Sequence, residues 1–425
     1  MITPFSVLNR TYDIEAEIAI IGAGPAGTST SIFLARKGIP HIIFDKDDFP
    51  RDKICGDGLS GKVVSVLEEM NPQFLQDLYN MPETFLGSWG VYFAAPNGKG
   101  VNIPFRLNGR PIEQPPGFVA RRIDFDSFLV KNIESRLANP HFNCPIKSIE
   151  RNRQGIVLTF LQDGKVKTAF VKVVVGAGGD RCPVKRALTT YRLAPDHYYA
   201  GLRTYFKNVG GMQEGNFIEL HFLDEVLPGY FWIFPLPGNR ANVGIGMLSR
   251  DIRAKRVNLR EIMFKAIKEN PTIRHRFEQA EEIDSVKGWG LPLASQKRPL
   301  SGERFVLVGD AGSLIDPFTG EGIGNAMFSA KIAAEVIAEA VEKNDYSAGF
   351  LKEYDRQLYD RLWDEINLSY KIQRLVQHRW LFNFVINRLH KNKRLMDTFS
   401  LMFNDLDMRE KLKSPLFYLR LLFNN

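Results

Sequence analysis

Apolar residues along the chain fall into short runs and helical spacings, and these alternate at both ends of a long central region. Residues 17–21 form an apolar run, residues 31–37 carry apolar side chains at helical spacing, and residues 41–44 form a second run. Further on, the apolar run 304–308 leads to a glycine-rich segment, 319–326, which opens a long alanine-rich pattern of helical spacing. Each succession predicts a strand followed by a helix, the unit of an α/β sheet.

Three glycines stand between the first predicted strand and its helix. Gly22, Gly24 and Gly27 form a G-x-G-x-x-G frame, and Asp45 ends the second apolar run 23 positions after Gly22. In such a frame the first glycine makes a tight turn, the second lets the backbone approach a pyrophosphate, the third lets helix pack on strand, and the acid binds a ribose. The sequence therefore predicts a dinucleotide site here, with further contributions from Pro25, Ala26 and Lys46.

A second motif indicates which dinucleotide is bound. Asp310 follows Gly309 at the end of the apolar run 304–308, where a carboxylate can bind a polyol chain. The helix start beyond it presents unpaired backbone N–H groups and a positive dipole end, which suit a flavin ring and a phosphate. NAD has no ribityl chain, so the two motifs together predict FAD. At this end of the cofactor the expected binding residues are Gly309, Asp310, Gly322, Ile323 and Gly324.

With these motifs the chain resembles the FAD-dependent oxidoreductases of the p-hydroxybenzoate hydroxylase fold and, within them, the geranylgeranyl reductase family. The resemblance covers roughly residues 15–345. Cys-Gly-Asp-Gly at 55–58 and Tyr-x-Trp-x-Phe-Pro at 230–235 narrow the likeness to the family. The matching segments outside the two FAD motifs are 49–60, 122–126, 228–235 and 241–246.

The resemblance implies an α/β fold in which a Rossmann-like FAD-binding domain carries an inserted mixed β-sheet substrate domain and a helical C-terminal region. It also implies that Arg122 joins the glycines and acids above in binding FAD. Cys55 is expected near the substrate face of the flavin. The residues expected to line a tunnel for an isoprenoid chain are Tyr230, Trp232, Phe234 and Pro235.

Two positions depart from the family pattern. Residues 176–179 read Gly-Ala-Gly-Gly where the family usually has Gly-Ala-Asp-Gly, unless Asp180 substitutes for the missing carboxylate. Residues 236–237 are Leu-Pro where a basic residue normally follows the aromatic motif. We expect both changes to leave FAD binding intact and to bear on reductant docking and substrate identity. The electron donor is left open between NAD(P)H and ferredoxin.

Reduction of an isolated alkene needs a proton donor as well as a hydride, because nothing polarises the double bond. Cys55 is the candidate acid, since Arg51 and Lys53 are near enough in sequence to stabilise its thiolate. Asp57 or a water beside the flavin is the competing donor. Two structural alternatives stay open, in which Cys55 is an apolar filler beneath the flavin and the aromatic strand is ordinary core.

Other functions fit parts of the pattern. The same fold supports a FAD-dependent monooxygenase, a hydroxylase or a halogenase, acting on an aromatic or polyketide-like substrate; the missing acid at 176–179 disfavours it, and the residues after Lys53 lack the halogenase pattern. A second dinucleotide site at 172–179 would indicate a pyridine nucleotide-disulfide reductase, but Ser60 stands where Cys55 would need a redox partner. The remaining alternative is a non-enzymatic flavin protein that sequesters lipid.

The two FAD motifs, at 15–60 and 304–330, must meet in space across all the residues between them. This predicts a discontinuous FAD domain with an insertion, and a helix at 124–137 capped by Asp124. The predicted divisions are an FAD-binding domain of residues 13–85, 115–187 and 286–345, a substrate-binding domain of residues 86–114 and 188–285, and a C-terminal helical region, 346–425.

The 425 residues are 44% hydrophobic, which suffices for a substantial core in two or three domains. No uncharged stretch reaches the roughly 18 residues of a membrane span, and no signal-peptide pattern precedes Gly22. Three cysteines do not make an exported disulfide scaffold. We expect a cytoplasmic enzyme with reduced thiols and, since the histidines are isolated, no metal site.

The formal charge of +8 concentrates near the C-terminus, where residues 351–425 hold fourteen Lys or Arg against nine Asp or Glu. Residues 374–394 mix helical apolar spacing with a basic cluster. This pattern fits an interfacial helix that contacts anionic headgroups, and it equally fits a packed helix with a solvated basic face. We expect a hydrophobic substrate, peripheral membrane contact through this region and no nucleic-acid partner, because no RNA- or DNA-binding motif accompanies the charge.

Overall fold

The computed structural model describes residues 12–104, 113–392 and 396. The predicted segments 86–114 and 346–425 therefore lie partly outside the described residues. Within the described part, strands form three sheets. The strands are β1 (Ile14–Ile21), β2 (His41–Phe44), β3 (Gly58–Leu59), β4 (Leu86–Ser88), β5 (Gly90–Ala94), β6 (Gly100–Pro104), β7 (Gly117–Val119), β8 (Ala138–His141), β9 (Ile146–Arg151), β10 (Ile156–Gln162), β11 (Lys165–Gly176), β12 (Tyr198–Lys207), β13 (Ile218–His221), β14 (Tyr230–Leu236), β15 (Arg240–Leu248), β16 (Glu281–Glu282), β17 (Lys287–Pro292), β18 (Ser301–Gly302) and β19 (Phe305–Leu307).

Helices connect these strands and follow them at the C-terminal end of the described chain. The longest pair, α8 and α9, comes after the last strand, so the region expected to be helical is helical as far as it is described. The helices are α1 (Pro25–Arg36), α2 (Gly61–Met70), α3 (Pro72–Tyr79), α4 (Arg122–Lys131), α5 (Pro183–Leu188), α6 (Ser249–Lys255), α7 (Leu259–Glu269), α8 (Ile323–Lys343), α9 (Ala348–Val376) and α10 (Arg379–Lys391).

The first sheet is built around β1, whose residues 18–21 are buried. Strand β1 pairs in parallel with β11 on one side and β2 on the other, in the order β18-β19-β11-β1-β2-β8, and β10 and β9 extend the sheet from β11. A continuous apolar run suits such a strand, because parallel sheets are covered on both faces. Strand β19 also pairs in parallel with β11. The two glycine-rich motifs therefore meet at the carboxyl edge of one sheet, as predicted.

The second sheet has the order β16-β12-β15-β14-β13-β5-β6, with β17 also paired to β12. Trp232 lies opposite Gly244 on β15 and Leu220 on β13, and directly paired residues share a face. Tyr230 and Phe234 alternate with their neighbours on β14 and share that face, which we call the cavity face. A Cβ on Gly244 would lie 2.2 Å from the Trp232 ring, so this glycine lets the indole lie flat across β15.

Helices α9 and α10 cover one end of the cavity face. Phe382, Ile386 and Leu389 of α10 join Phe93 and Leu220 of the second sheet in one hydrophobic cluster. The small third sheet, β3-β7-β4, lies beside the loop that precedes α2. Strands from both predicted domains and the C-terminal helices thus enclose a common space.

One local expectation is wrong. Helix α4 begins at Arg122 and not at Asp124, whose carboxylate pairs with the Arg121 guanidinium at 3.0 Å and does not cap the helix. Strand β17 comes from residues 287–292, in the predicted FAD domain, and yet it pairs with β12 of the second sheet. The domain boundaries as a whole stay a prediction.

Candidate active site

A cavity of about 2140 Å³ lies between the carboxyl edge of the first sheet and the cavity face of the second. Pockets for drug-sized ligands measure about 300–1,000 Å³, so this cavity has room for a dinucleotide and a second, elongated molecule. The predicted site residues that line it are Gly22, Gly24, Pro25, Ala26, Asp45, Lys46, Cys55, Arg122, Tyr230, Trp232, Phe234, Asp310, Gly322 and Ile323. Those that lie behind its wall are Gly27, Asp57, Pro235, Gly309 and Gly324.

The glycine turn after β1 leaves space where the motif predicts a pyrophosphate. Gly22 has φ +110°, and a Cβ on Gly27 would lie 1.7 Å from the Gly22 carbonyl oxygen, so neither position admits a side chain. Of the atoms that the structure describes outside the adjoining residues, a Cβ on Gly24 would come within 4 Å only of Arg51 Nη2, at 3.5 Å, and Arg122 Nη2, at 3.8 Å. The space before Gly24 is therefore open and faced by two guanidinium groups at a helix N-terminus, which fits the phosphates of FAD.

Asp45 ties the glycine turn to the end of β2. The Ala23 N–H donates to Asp45 Oδ2 at 2.6 Å, and the Asp47 N–H donates to Oδ1 at 3.0 Å. A carboxylate has about four acceptor positions, so Asp45 keeps capacity for ribose hydroxyl groups. This matches the role that the motif assigns to it, and that role stays a prediction.

Arg51 was not among the residues predicted to bind FAD, although it faces the open space before Gly24 together with Arg122. Both guanidinium groups bond to Asp126, Arg51 Nη1 at 3.1 Å and Arg122 Nε at 2.7 Å. Burial alone would lower the pKa of Arg122, but the Asp126 carboxylate and the Cys55 side chain raise it above its usual range. Asp126 thus fixes two permanent cations beside Gly24.

The C-terminal motif contributes several wall residues, among them Asp310, Gly322 and Ile323, and one structural link. Asp310 lines the cavity, where burial raises its pKa and the Lys53 ammonium opposes that rise. Glu321 accepts hydrogen bonds from the Gly324 N–H at 2.8 Å, at the start of α8, and from Ser60 Oγ at 2.8 Å. Glu321 was not predicted as a site residue, although a carboxylate beside a helix start can accept hydrogen bonds from the first free N–H groups. It joins the two loops that border the cavity.

Asp57 lies beneath the loop that carries Cys55 and does not reach the cavity. Its Oδ2 accepts hydrogen bonds from Tyr205 Oη and Asn242 Nδ2, both at 2.8 Å, whereas its Oδ1 is buried and has no partner among the described residues. Burial raises the pKa of Asp57 from 3.8 to about 6. Asp57 also has φ +69°, in the left-handed region. The geometry supports a role in holding the loop.

Asp57→Asn should remove a pH dependence of stability. Because the folded-state pKa is raised, protonated Asp57 favours the folded state, and stability falls as pH rises from about 4 to about 6, by roughly 3 kcal/mol for two pKa units. The side-chain oxygen of asparagine can accept both hydrogen bonds, and its NH₂ group then takes the place of Oδ1, which has no partner among the described residues. Urea unfolding of both proteins between pH 4 and 7 checks this, and parallel curves would contradict it.

The aromatic residues of β14 hold the loops around the cavity. Tyr230 Oη donates to the Thr319 carbonyl at 2.6 Å, and the Phe234 ring packs against Gly56, where a Cβ would lie 3.1 Å from it. Trp232 Nε1 donates to Asn242 Oδ1 at 2.8 Å. Asn242 also donates to the Cys55 carbonyl at 2.7 Å. Asn242 belongs to the matching segment 241–246 but was not predicted as a site residue, and it connects the Trp232 indole, the cysteine loop and Asp57.

Asp180 does not supply the carboxylate that residues 176–179 lack. Tyr198 Oη donates a hydrogen bond to it, and Lys185 Nζ lies 3.4 Å from its Oδ1. Asp180 is thereby turned away from the cavity, which its neighbours Gly179 and Arg181 line.

A strand, a glycine turn, a helix and an acid at the end of the next strand, with a second motif on the same sheet edge, are the features of a flavin dinucleotide-binding protein of the oxidoreductase class. The family model described as FAD binding domain matches residues 15–367. The chain belongs to this family, which confirms the prediction of FAD as cofactor. Among the described residues no helix is both long and apolar enough to cross a bilayer.

Relatives confirm the resemblance seen in the sequence. A protein of Methanocella arvoryzae named digeranylgeranylglycerophospholipid reductase is 28% identical, over 85% of this chain and 87% of its own. A Pseudomonas fluorescens protein named 1H-pyrrole-2-carbonyl-[peptidyl-carrier protein] chlorinase is 25% identical, over 85% and 84%. The crystal structure of a geranylgeranyl bacteriochlorophyll reductase-like protein from Thermoplasma acidophilum superposes with a TM-score of 0.78 at 21% identity, covering 94% of this chain and 95% of that one. That likeness shows the fold.

Proposed function

We propose that this flavoprotein reduces carbon–carbon double bonds of a prenyl chain or prenylated lipid. The observation that carries the proposal is a continuous apolar wall. On the cavity face it runs from Trp232 through Leu220 and Phe93 to Ile103, inside the same cavity that Cys55 lines. Burial of a prenyl chain along this wall would contribute about 25 cal/mol per Å² of apolar surface. The name of the Methanocella arvoryzae relative supports the same substrate class.

The residues of the chain supply positioning, a proton and a dry site, while bound FAD, once reduced, supplies the hydride. Tyr230 and Phe234 hold the two bordering loops, so a chain lying on Trp232 is kept at a fixed place beside them. Helix α10 covers the apolar end and excludes water. Cys55 holds the proton for the carbon that does not receive the hydride, and the Arg122 guanidinium lies beside its side chain.

A FAD-dependent monooxygenase or halogenase is the second candidate, and the chlorinase relative is the observation in its favour. The same cavity would then hold an aromatic substrate. A hydroxylase or halogenase consumes oxygen and does not reduce a prenyl chain, so one anaerobic experiment separates the two functions.

The test starts from the FAD-loaded protein, reduced anaerobically with dithionite. Dithionite replaces the natural donor, NAD(P)H or ferredoxin, so the result does not depend on which of them the enzyme uses. We expect geranylgeranyl diphosphate or a digeranylgeranyl glycerophospholipid to restore the visible absorbance of oxidised flavin, with a gain of two hydrogen atoms per reduced bond by mass spectrometry. Reduced flavin that ignores every prenyl compound and yields an oxygenated or halogenated aromatic product in air would favour the second candidate.

We also propose that the enzyme works at the cytoplasmic surface of a membrane, through the α9–α10 corner. Trp380 and Leu375 are 72% and 50% exposed, unusually high values for large apolar side chains. Leu375 and Leu381 line the cavity, so the corner lies at an opening. Arg374 and the exposed Arg379, which also pairs with Asp224 at 3.0 Å, flank these side chains, and basic residues beside exposed apolar ones favour an anionic lipid surface.

Trp380→Ser should weaken vesicle binding without harming the fold. The indole is mostly in water already, so its removal leaves the core unchanged, and we expect a thermal midpoint within about 2 °C of wild type. Binding to vesicles with anionic phosphatidylglycerol should fall about tenfold in a co-sedimentation assay, because the interfacial anchor is lost. Val166→Ser, at another exposed apolar position (67%), is the matched control. Equal binding by all three proteins would refute the membrane surface.

A further inference from the structure

The cavity face changes character from one side of the second sheet to the other. Trp289 on β17 lies opposite Gly201 on β12, which lies opposite Gly246 on β15, which lies opposite Tyr230 on β14. Trp289 therefore shares the cavity face with Tyr230, about 14 Å away across three inter-strand spacings of about 4.8 Å. The β14 side continues into the apolar wall, whereas the β17 side meets positive charge.

Two cations converge on the Trp289 ring. Lys53 Nζ lies 3.5 Å from the ring centroid and the Arg181 guanidinium carbon lies 5.1 Å from it. All three residues line the cavity. Within residues 12–104 and 113–392, no carboxylate oxygen lies within 4.0 Å of a charged nitrogen of Lys53 or Arg181. Trp289 Nε1 is buried and has no hydrogen-bond partner in the same residues. The group presents two unpaired cations and an orphaned N–H donor.

This cationic group adjoins the pair that faces Gly24, since the charges of Arg122 and Arg51 also lower the pKa of Lys53, but it shares no carboxylate with that pair. Arg51 and Arg122 both bond to Asp126 and stand where the glycine motif brings the phosphates of FAD. The electrostatic cost of the second group shows in Lys53, where burial lowers the pKa to about 8 in spite of the attraction of Asp310. Lys53 is half-buried and Arg181 is exposed, and a partly buried cation without a carboxylate partner is costly unless an anion binds beside it.

We propose that Lys53, Arg181 and Trp289 form a binding site for the phosphate groups of a nicotinamide dinucleotide, the electron donor of the proposed reductase. The proposal rests on the proposed function, because a prenyl chain on the apolar wall leaves the β17 side for the donor. A dihydronicotinamide would give one hydride, which is two electrons and one proton, to oxidised FAD and leave as the oxidised nicotinamide. Each phosphate oxygen can accept from the guanidinium, the ammonium or the indole N–H.

The test is the half-reaction that needs no lipid. FAD-loaded protein is mixed anaerobically with NADPH or NADH at rising concentration, and the rate of flavin bleaching is followed. We expect Arg181→Gln to raise the donor concentration for half-maximal rate about tenfold, the loss of one charge-assisted contact. The limiting rate, the FAD content and reduction by dithionite should not change. Trp289→Phe, which keeps the ring and removes the N–H donor, should act in the same direction by about threefold.

Arg192→Gln is the control, since Arg192 is exposed and does not line the cavity. Three outcomes would overturn the proposal: neither nucleotide bleaches wild-type flavin, Arg181→Gln loses FAD, or Arg181→Gln raises the concentration of phospholipid needed to reoxidise reduced flavin but not that of nucleotide. Loss of FAD would show that the cations bind FAD, and a changed requirement for phospholipid alone would show that they bind a lipid headgroup. Failure of prenyl reduction itself appears only in the lipid half-reaction, so the two proposals fail separately.

Discussion

Gly27→Ala is expected to destroy the FAD-binding fold, whereas Gly24→Ala is expected to spare the fold and lose FAD. The Gly27 methyl group would lie 1.7 Å from the Gly22 carbonyl oxygen, a clash with backbone that no rotamer relieves. We expect at least about 3 kcal/mol of destabilisation. The Gly24 methyl group would meet nothing closer than 3.5 Å, and Gly24 has φ −74°, which alanine adopts freely. It would instead occupy the path of the pyrophosphate.

Thermal unfolding without added FAD, combined with FAD content after gel filtration, separates the two effects. Gly24→Ala should unfold within about 1 kcal/mol of wild type and bind FAD at least tenfold more weakly by fluorescence titration. Gly164→Ala is the control, with φ +72°, open space around it and a place in the hairpin turn between β10 and β11. It carries only left-handed strain of about 1 kcal/mol. Normal FAD affinity in Gly24→Ala would show that the phosphates of FAD do not bind at Gly24.

The sequence predicts the FAD half of the site well because its signals are local. The apolar run at 18–21, the glycine turn and the acid at Asp45 all lie within one strand–helix–strand unit, and the Ala23 N–H bonds to Asp45 inside it. Glycine spacing reports directly on backbone crowding, as the short distance from a Gly27 Cβ shows. The aromatic alternation of β14 is equally local, and it placed three rings on one face correctly.

The polar links around the cavity could not be predicted in the same way. Asn242 bonds to Asp57, 185 positions earlier, and Ser60 bonds to Glu321, 261 positions later. Such contacts depend on how two sheets pack, which no local pattern records. The same reason explains why Asp57 was a plausible acid in the sequence and yet lies behind the wall. Its positive φ and buried partners are properties of the assembled loop.

The packing of the two sheets also explains why the sequence did not predict Trp289 as a site residue. In sequence, Lys53, Arg181 and Trp289 are far apart, and β17 was assigned with the FAD domain. Its pairing with β12 turns Trp289 toward the cavity and brings the other two residues to its ring. A cation next to a tryptophan in space is therefore visible only after the sheet order is known.

Cys55→Ser is expected to slow prenyl reduction about 100-fold to 1,000-fold, within the range for removal of a general acid. Serine keeps nearly the same size and is a far weaker acid, so a proton reaches the substrate carbon much more slowly. The Asn242 bond to the Cys55 carbonyl is a backbone contact and survives the change. FAD content and flavin reduction by dithionite should stay at wild-type values. The measurement is the rate at which a prenyl lipid reoxidises reduced flavin, in single turnover.

Two further variants separate an acid from a filler. Cys55→Ala removes both the proton and part of the side-chain volume. Equally low rates in Cys55→Ala and Cys55→Ser would identify Cys55 as the proton donor. A wild-type rate in Cys55→Ser and a low rate only in Cys55→Ala would identify a packing role. Asp57→Asn tests the competing acid. Because Asp57 is buried beneath the loop and does not line the cavity, we expect this variant to stay within about threefold of the wild-type rate. A large loss of rate in Asp57→Asn together with a wild-type rate in Cys55→Ser would identify Asp57 as the proton donor.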